Sequence, residues 1–431
     1  MKKDILKDMI KFTDMSPTAF HVVKNAAGLL SEDSYTEFKE SDDWRVFPGI
    51  KGYVVRNGSS LIAFKIPETR KIKGFNIYSA HSDSPSFKLK EDPELSPECG
   101  LIRLNTEGYG GMIMSSWFDR PLSIAGRVMI SEGGAVRECL VNLDKDLCVI
   151  PNVAIHMNPK TNSGIEYKPQ TDLLPLYAQG TSKTKVYGLI SKKLRAKAED
   201  IISSDLYLYT RQKGTVFGAD SEFVLSPRLD DQACVYAGLE AFLCADAGSE
   251  DYEPSGYIKV LCIFDNEEVG SSTKQGADSD FLRDTLFRLS EALGESMTGY
   301  LKLLSQSFML SADNAHAAHP ALASSADPVN RPCLNGGVVL KFNGSQKYAT
   351  DAVSAARVRI LAKNAEIKLQ NYANNSNIRG GSTLGNISAT HVSIPTADIG
   401  LAQLSMHSAC ETMGSKDING LYRLAGEFFR A

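Results

Sequence analysis

A chain of 431 residues, 43% hydrophobic and 23% charged, is long enough for two domains and a large buried core. Its net charge of −4 gives no cationic excess for gripping a phosphate backbone, which argues against nucleic acid as a partner. Nothing in it approaches the ~20 apolar residues of a membrane span, and the opening residues mix acids with lysines instead of forming a secretory apolar segment, so a cytoplasmic location is expected.

Along the chain, residues 1–90 and again 226–431 alternate short apolar runs with helix-periodic segments, the pattern of an α/β domain with a mainly parallel sheet flanked by helices. The first informative run is GFNIYSA (74–80), which reads as a buried strand and leads into His81. Two residues on, Asp83 either orients that imidazole from behind or simply forms a turn before Pro85. Residues 91–225 have a different texture. Short strand-like stretches such as IRLNTE, GMIMSSWF, LSIAGRVMI, ECLVNL and LCVIPNVAIHM are separated by Gly, Pro and Asn, with one helical piece near 184–198. This segment reads as an inserted β-rich domain that interrupts the first.

Past the insertion, FVLSPRL (223–229) leads into Asp230, which opens a helix-periodic segment through 245. An acid at that place caps free amides without any further role. It gains weight because a two-metal site needs a shared carboxylate. YIKVLCIF (257–264) runs into Asp265-Asn266-Glu267-Glu268, SFMLSA (307–312) into Asp313, and TADIGLAQLS (396–405) leads to His407. Helical periodicity spans 282–304 and 351–365. His316 and His319 follow Asp313 closely; the first is a candidate substrate contact and the second reads equally as structural. The eight cysteines are scattered without a Cys-x-x-Cys pair and read as small core residues in a reducing compartment.

In open α/β sheets ligands collect beyond the carboxyl ends of the strands. His81, Asp230, Glu268, Asp313 and His407 all follow apolar runs, and imidazole plus carboxylate is the donor set of zinc. Five such donors suffice for two ions sharing one carboxylate. Adjacent Glu267 and Glu268 at a strand end repel each other and resist burial unless a dication is near. One of the pair then binds metal while the other serves as general base to the water. The alternative is a solvated acidic loop. The glycine-rich pieces at 109–111, 335–337 and 379–385 match no dinucleotide or phosphate-loop pattern and read as turns.

Eight motifs in order, SPTAFH (16–21), AHSDSP (80–85), SWFDRPL (116–122), IPNVAIHM (150–157), SPRLD (226–230), DNEEVGS (265–271), SADNAHAAHP (311–320) and AQLSMHS (402–408), carry a resemblance to the aspartyl aminopeptidases. These are co-catalytic zinc exopeptidases of metallopeptidase family 18. The resemblance implies that His81 and Asp313 hold one zinc, that Glu268 and His407 hold the other, and that Asp230 bridges them. It makes Glu267 the catalytic base, with Asp83 beside it. It further implies that His316, Lys341 and Tyr348 contact substrate and that His156 reaches from the inserted domain into a neighbouring subunit's site. The implied assembly is a homo-oligomer, a tetrahedral dodecamer of subunits that cleave peptides. Cobalt or manganese suits the same donors. Asp231 stands where that family has Asn, and 211–218, 380–386 and 396–400 also depart from it, leaving acidic and neutral N-terminal residues both open as substrates. Two other readings of the whole chain are a carboxypeptidase or deacylase of the same hydrolase group, and a catalytically silent self-assembling shell.

Overall fold

The computed structural model describes residues 4–69, 71–245, 255–378 and 380–431. It divides into two compact units: 1–83, 214–406 and 411–431 form the first, while 84–213 and 407–410 form the second. The breaks fall at 83/84 and 213/214, not at 90/91 and 225/226. Ser86–Glu94 is already a strand of the second unit's sheet, whereas Thr215–Phe217 and Phe223–Ser226 pair onward to Glu411–Gly414 in the first.

The first unit is built on a nine-stranded sheet. Its strand order is Thr36–Phe38, Lys51–Arg56, Ser60–Lys65, Tyr257–Phe264, Gly74–His81, Phe308–Ala312, Thr396–Gly400, Val338–Phe342 and Leu369–Ala373. The central strands Tyr257–Phe264, Gly74–His81, Phe308–Ala312 and Thr396–Gly400 run parallel, and antiparallel neighbours join toward either side. Both faces of the sheet are covered, so its central strands carry no polar alternation. Every residue of Gly74–His81 and of Phe308–Ala312 is buried.

One face packs against helices Ile5–Met15, Ala19–Glu32, Leu229–Cys244, Ala352–Asn364 and Asp417–Arg430 through a core that includes Tyr78, Phe242, Leu310 and Phe429. The other packs against Phe281–Ala292, Met297–Ser305 and Leu384–His391 around Phe75, Phe264, Phe281 and Leu286. Leu229–Cys244 is enclosed on nearly all sides. A Cβ at Gly238 would lie 2.1 Å from the Tyr78 ring, so only glycine allows that helix and strand to approach so closely.

Two expected elements differ. The periodic stretch 282–304 is broken into two helices by Leu293–Ser296, where Gly294 takes φ +88°. TADIGLAQLS is not one strand either. Thr396–Gly400 belongs to the nine-stranded sheet, and after Leu401 the chain enters a separate five-stranded sheet as Ala402–Leu404.

The second unit is a six-stranded antiparallel sheet, ordered Ala135–Asn142, Leu122–Glu132, Ile201–Thr210, Ser86–Glu94, Leu101–Tyr109, Leu176–Gln179. Its core gathers Phe87, Trp117, Ile124, Leu208 and the helix Val186–Leu194. GMIMSSWF contains a short 3-10 turn at Met114–Trp117, and LCVIPNVAIHM makes only isolated bridges at Cys148, Val149 and Ile150. Neither is a regular strand, because the intervening Ser, Pro and Asn side chains and turns interrupt the ladder. No helix among the described residues is long and apolar enough to cross a membrane.

Candidate metal centre

Three parallel strands of the first unit finish at one edge of the sheet. Phe264 lies opposite His81 in the register of Tyr257–Phe264 and Gly74–His81, and Phe308–Ala312 ends one residue before Asp313. The alignment brings His81, Asp313 and the Glu267–Val269 turn to the same place. Asp230 and Asp231 arrive from the start of the buried helix Leu229–Cys244, where their φ/ψ values are not helical.

His81 sits at the centre and is 1% exposed. Its Nε2 lies 3.4 Å from Asp230 Oδ1 and 3.8 Å from Asp313 Oδ1. The other ring nitrogen, Nδ1, faces the backbone carbonyl of Asp83 at 3.1 Å and the Asp83 carboxylate at 3.4 Å. Ligand atoms of His81, Asp230, Asp231 and Asp313 fall within 4.8 Å of one another, as do those of His81, Glu267 and Glu268.

Asp83 does more than face the imidazole. Its Oδ1 accepts from the Glu267 amide and its Oδ2 from the Glu268 amide, each at 3.1 Å. Asn266 enters this turn at φ +63°, and its side-chain oxygen accepts from Thr273 Oγ1 and Gln275 Nε2. The acidic turn is thus held from both ends. Asp231 also finds a definite place: its Oδ2 accepts from the backbone amide of His81 at 3.3 Å. That engagement turns Asp231 toward the strand end and leaves Asp230 as the neighbour facing the imidazole Nε2.

The charges match this geometry. Burial, together with the Asp313, Asp83 and Asp230 charges, pushes the Glu267 carboxyl up to about 8, despite the opposing pull of His81. Burial and the Asp230 charge likewise raise Glu268, and burial raises Asp231. For His81 burial favours the neutral ring, but hydrogen bonds to Asp230, Asp313 and Asp83 outweigh it and raise its pKa. Asp313 goes the other way, to about 2: the Lys341 ammonium and His81 overcome burial. Asp83, Asp230, Asp231, Glu267, Glu268 and Asp313 are therefore crowded into a space that water does not reach well. Carboxylate oxygens and an imidazole nitrogen in such a setting fit divalent cations, which relieve the repulsion and bind with zinc's preferred donors.

The remaining expected residues lie on other segments of the chain. His407 has φ +67° and belongs to the short segment grouped with the second unit; its Nδ1 lies 2.9 Å from the Gly111 carbonyl oxygen. His156 is exposed in an irregular stretch of the second unit. His316 lies in the two-residue strand Ala315–His316, with its ring edge-on to Tyr372 at 6.3 Å. Lys341 is 2% exposed, and its Nζ lies 3.3 Å from Asp313 Oδ2 and 5.4 Å from the Tyr348 ring centroid. Tyr348 in turn packs on Tyr372 at 6.1 Å. Of the glycine-rich piece 379–385, Arg379 lies outside the described residues.

One participant had no sequence signal. Asp398 is fully buried in Thr396–Gly400 and accepts from Ser311, Thr383 and the Ala349 amide, facing the charge of Lys341. It sits inside an apolar strand, where a lone acid reads as a local exception.

The chain is similar to known proteins along nearly its whole length. The model of the aminopeptidase I zinc metalloprotease family (M18) matches residues 12–429. A probable M18 family aminopeptidase 2 of Clostridium acetobutylicum is 42% identical, covering 99% of this chain and 98% of that protein. Among solved structures, a chain of the cryo-EM structure of the Ape4 and Nbr1 complex superposes with a TM-score of 0.94 at 34% identity, covering 99% of this chain and 85% of its own. The S. cerevisiae mApe1 dodecamer gives a TM-score of 0.85 at 28% identity, covering 99% and 96%.

Proposed function

The chain belongs to the aminopeptidase I zinc metalloprotease (M18) family and is a metal-dependent aminopeptidase, and we propose that it removes the N-terminal residue of peptides using two zinc ions per subunit and Glu267 as general base. In this reading His81 and Asp313 would hold one ion, Glu268 and His407 would hold the other, and Asp230 would be shared between them. The observation that carries it is the convergence of buried His81, Asp230 and Asp313 with half-buried Glu267 and Glu268 where the parallel strands end.

Bound ions at such a site supply Lewis acidity, polarising a carbonyl and making water a better nucleophile. Cobalt and manganese suit the same donors, so the donor set alone does not choose the ion. Glu267 takes a proton from the attacking water and delivers it to the departing amine. Asp83 fixes the turn on which Glu267 stands, through the Glu267 and Glu268 amides. Both steps require the carboxylate to stay within hydrogen-bond reach of one small region, and a turn pinned at two successive amides meets that requirement.

Lys341, Tyr348 and His316 contact the substrate residue, and His156 does so from a neighbouring copy of the chain. The second unit then serves assembly into a homo-oligomer, for which the mApe1 dodecamer is the precedent among similar structures. The setting is cytoplasmic, and both acidic and neutral N-terminal residues remain candidate substrates.

A panel of short peptides with free or acetylated N-termini tests this directly. Release of the first residue from free peptides alone is expected. Cleavage of the acetylated set, or release from the carboxyl end, would instead mark a deacylase or carboxypeptidase.

A further inference from the structure

The peptide unit joining Leu229 to Asp230 has both of its polar groups taken by buried side chains. Its carbonyl oxygen accepts from Asn314 Nδ2 at 2.8 Å, and its amide nitrogen donates to Glu411 Oε2 at 2.9 Å. Asn314 and Glu411 are 3% and 1% exposed. No regular helical ladder holds this peptide, because Arg228 is left-handed at φ +58° and Asp230 has φ −84° and ψ 106°. The side chains do what the helix would otherwise do.

Both partners are themselves fixed. Asn314 also donates to Gln403 Oε1 at 3.1 Å, while its Oδ1 accepts from Cys234 Sγ and from the Leu401 amide, each at 3.3 Å. Its amide is thereby tied to four residues on two stretches of chain, the helix Leu229–Cys244 and the segment 401–403. Glu411 opens the strand Glu411–Gly414, whose register sets it opposite Ser226, four residues before Asp230. Asn314 directly follows Asp313 in the chain. Any tilt of the Leu229–Asp230 peptide plane would rotate the Asp230 side chain, and any shift of Asn314 would carry Asp313 with it.

We propose that Asn314 and Glu411 form a clamp on the Leu229–Asp230 peptide and act as positioning residues that set the Asp230 carboxylate relative to Asp313. The inference rests on the metal-site reading above and deepens it. It assigns to the asparagine of SADNAHAAHP and to a glutamate outside every recognised motif the task of holding the spacing between two carboxylates. Neither side chain is required to touch metal or substrate.

The test uses the full-length, metal-loaded protein and four variants: Asn314→Ala, Asn314→Asp, Glu411→Ala and Glu411→Gln. Loss of groups that orient metal ligands commonly lowers metal affinity or activity by about 10- to 100-fold. Zinc retention against a chelator should fall in that range for both alanine variants, and kcat should fall with KM nearly unchanged. Glu411→Gln keeps an oxygen acceptor for the Asp230 amide and should recover most of the loss. Asn314→Asp removes the donor facing two oxygens and should be as impaired as Asn314→Ala. Thermal unfolding of the metal-free forms is measured in parallel, so that a variant that fails to fold is recognised and the comparison passes to Glu411→Gln.

Variants that unfold earlier but keep wild-type zinc retention and kcat would overturn the clamp, as would a Glu411→Gln protein no better than Glu411→Ala. An inactive, zinc-free wild-type protein would instead overturn the metal-site reading itself, which keeps the two failures distinct.

Discussion

Asp83 illustrates how one carboxylate carries two tasks at a crowded site. Its backbone carbonyl and carboxylate face His81 Nδ1, and the same carboxylate receives the Glu267 and Glu268 amides. From sequence, His-x-Asp suggested only the first task; the second depends on a turn 184 residues away, beyond any local pattern. The same limit applies to Asp231, whose place beside the His81 amide is fixed by tertiary packing. His81, Asp230, Glu268 and Asp313 were legible because each follows an apolar run, and a polar residue at such a boundary is visible in the chain itself. Glu267 is predicted to act on protons and not to be needed for holding metal. Glu267→Gln should keep the metal content of the wild type while turnover on aminoacyl substrates drops by at least the ~10²- to 10⁴-fold attributed to a general base. Near-normal turnover would remove Glu267 from that role.

At the scale of elements, the parallel core strands were readable because burial on both faces removes polar alternation. The passage of 396–405 from one sheet to another was not. Gly400 marks it in hindsight: a Cβ there would lie 1.8 Å from the Asp313 carbonyl oxygen, so the strand must turn away beside the site with no side chain. The helix Leu384–His391 presents another element-level device. His391 Nε2 lies 2.9 Å from Asp278 and its Nδ1 3.1 Å from Asp280, which also pairs with Arg283. These carboxylates raise the pKa of His391, and they lie on the loop leading away from the Glu267–Val269 turn. A histidine whose folded pKa exceeds its unfolded value stabilises fully below the unfolded pKa, near 6.5, and loses that contribution as pH rises through the folded value. The difference in unfolding midpoint between wild type and His391→Gln should therefore be largest near pH 5.5 and shrink by pH 9. A constant difference would show that the imidazolium is not involved.

For the whole molecule, the two textures of the sequence correspond to two kinds of sheet, a mixed nine-stranded one enclosed by helices and an antiparallel six-stranded one. Their boundaries were less legible, since the strand Ser86–Glu94 follows His81 with only a short link and no change in composition marks the break. In the second unit Val153, Ile155 and Met157 are 56%, 47% and 81% exposed around His156. The proposed assembly of copies would cover such exposed apolar side chains, and light scattering should give a mass several times that of one chain. A monomer at working concentration would contradict the shared site.

Zinc is added stepwise to the metal-free protein while release of the first residue from a free peptide is followed. Activity is predicted to rise until two equivalents per chain are bound and then to stop rising. Full activity at one equivalent, or hydrolysis with no metal at all, would contradict a dinuclear site.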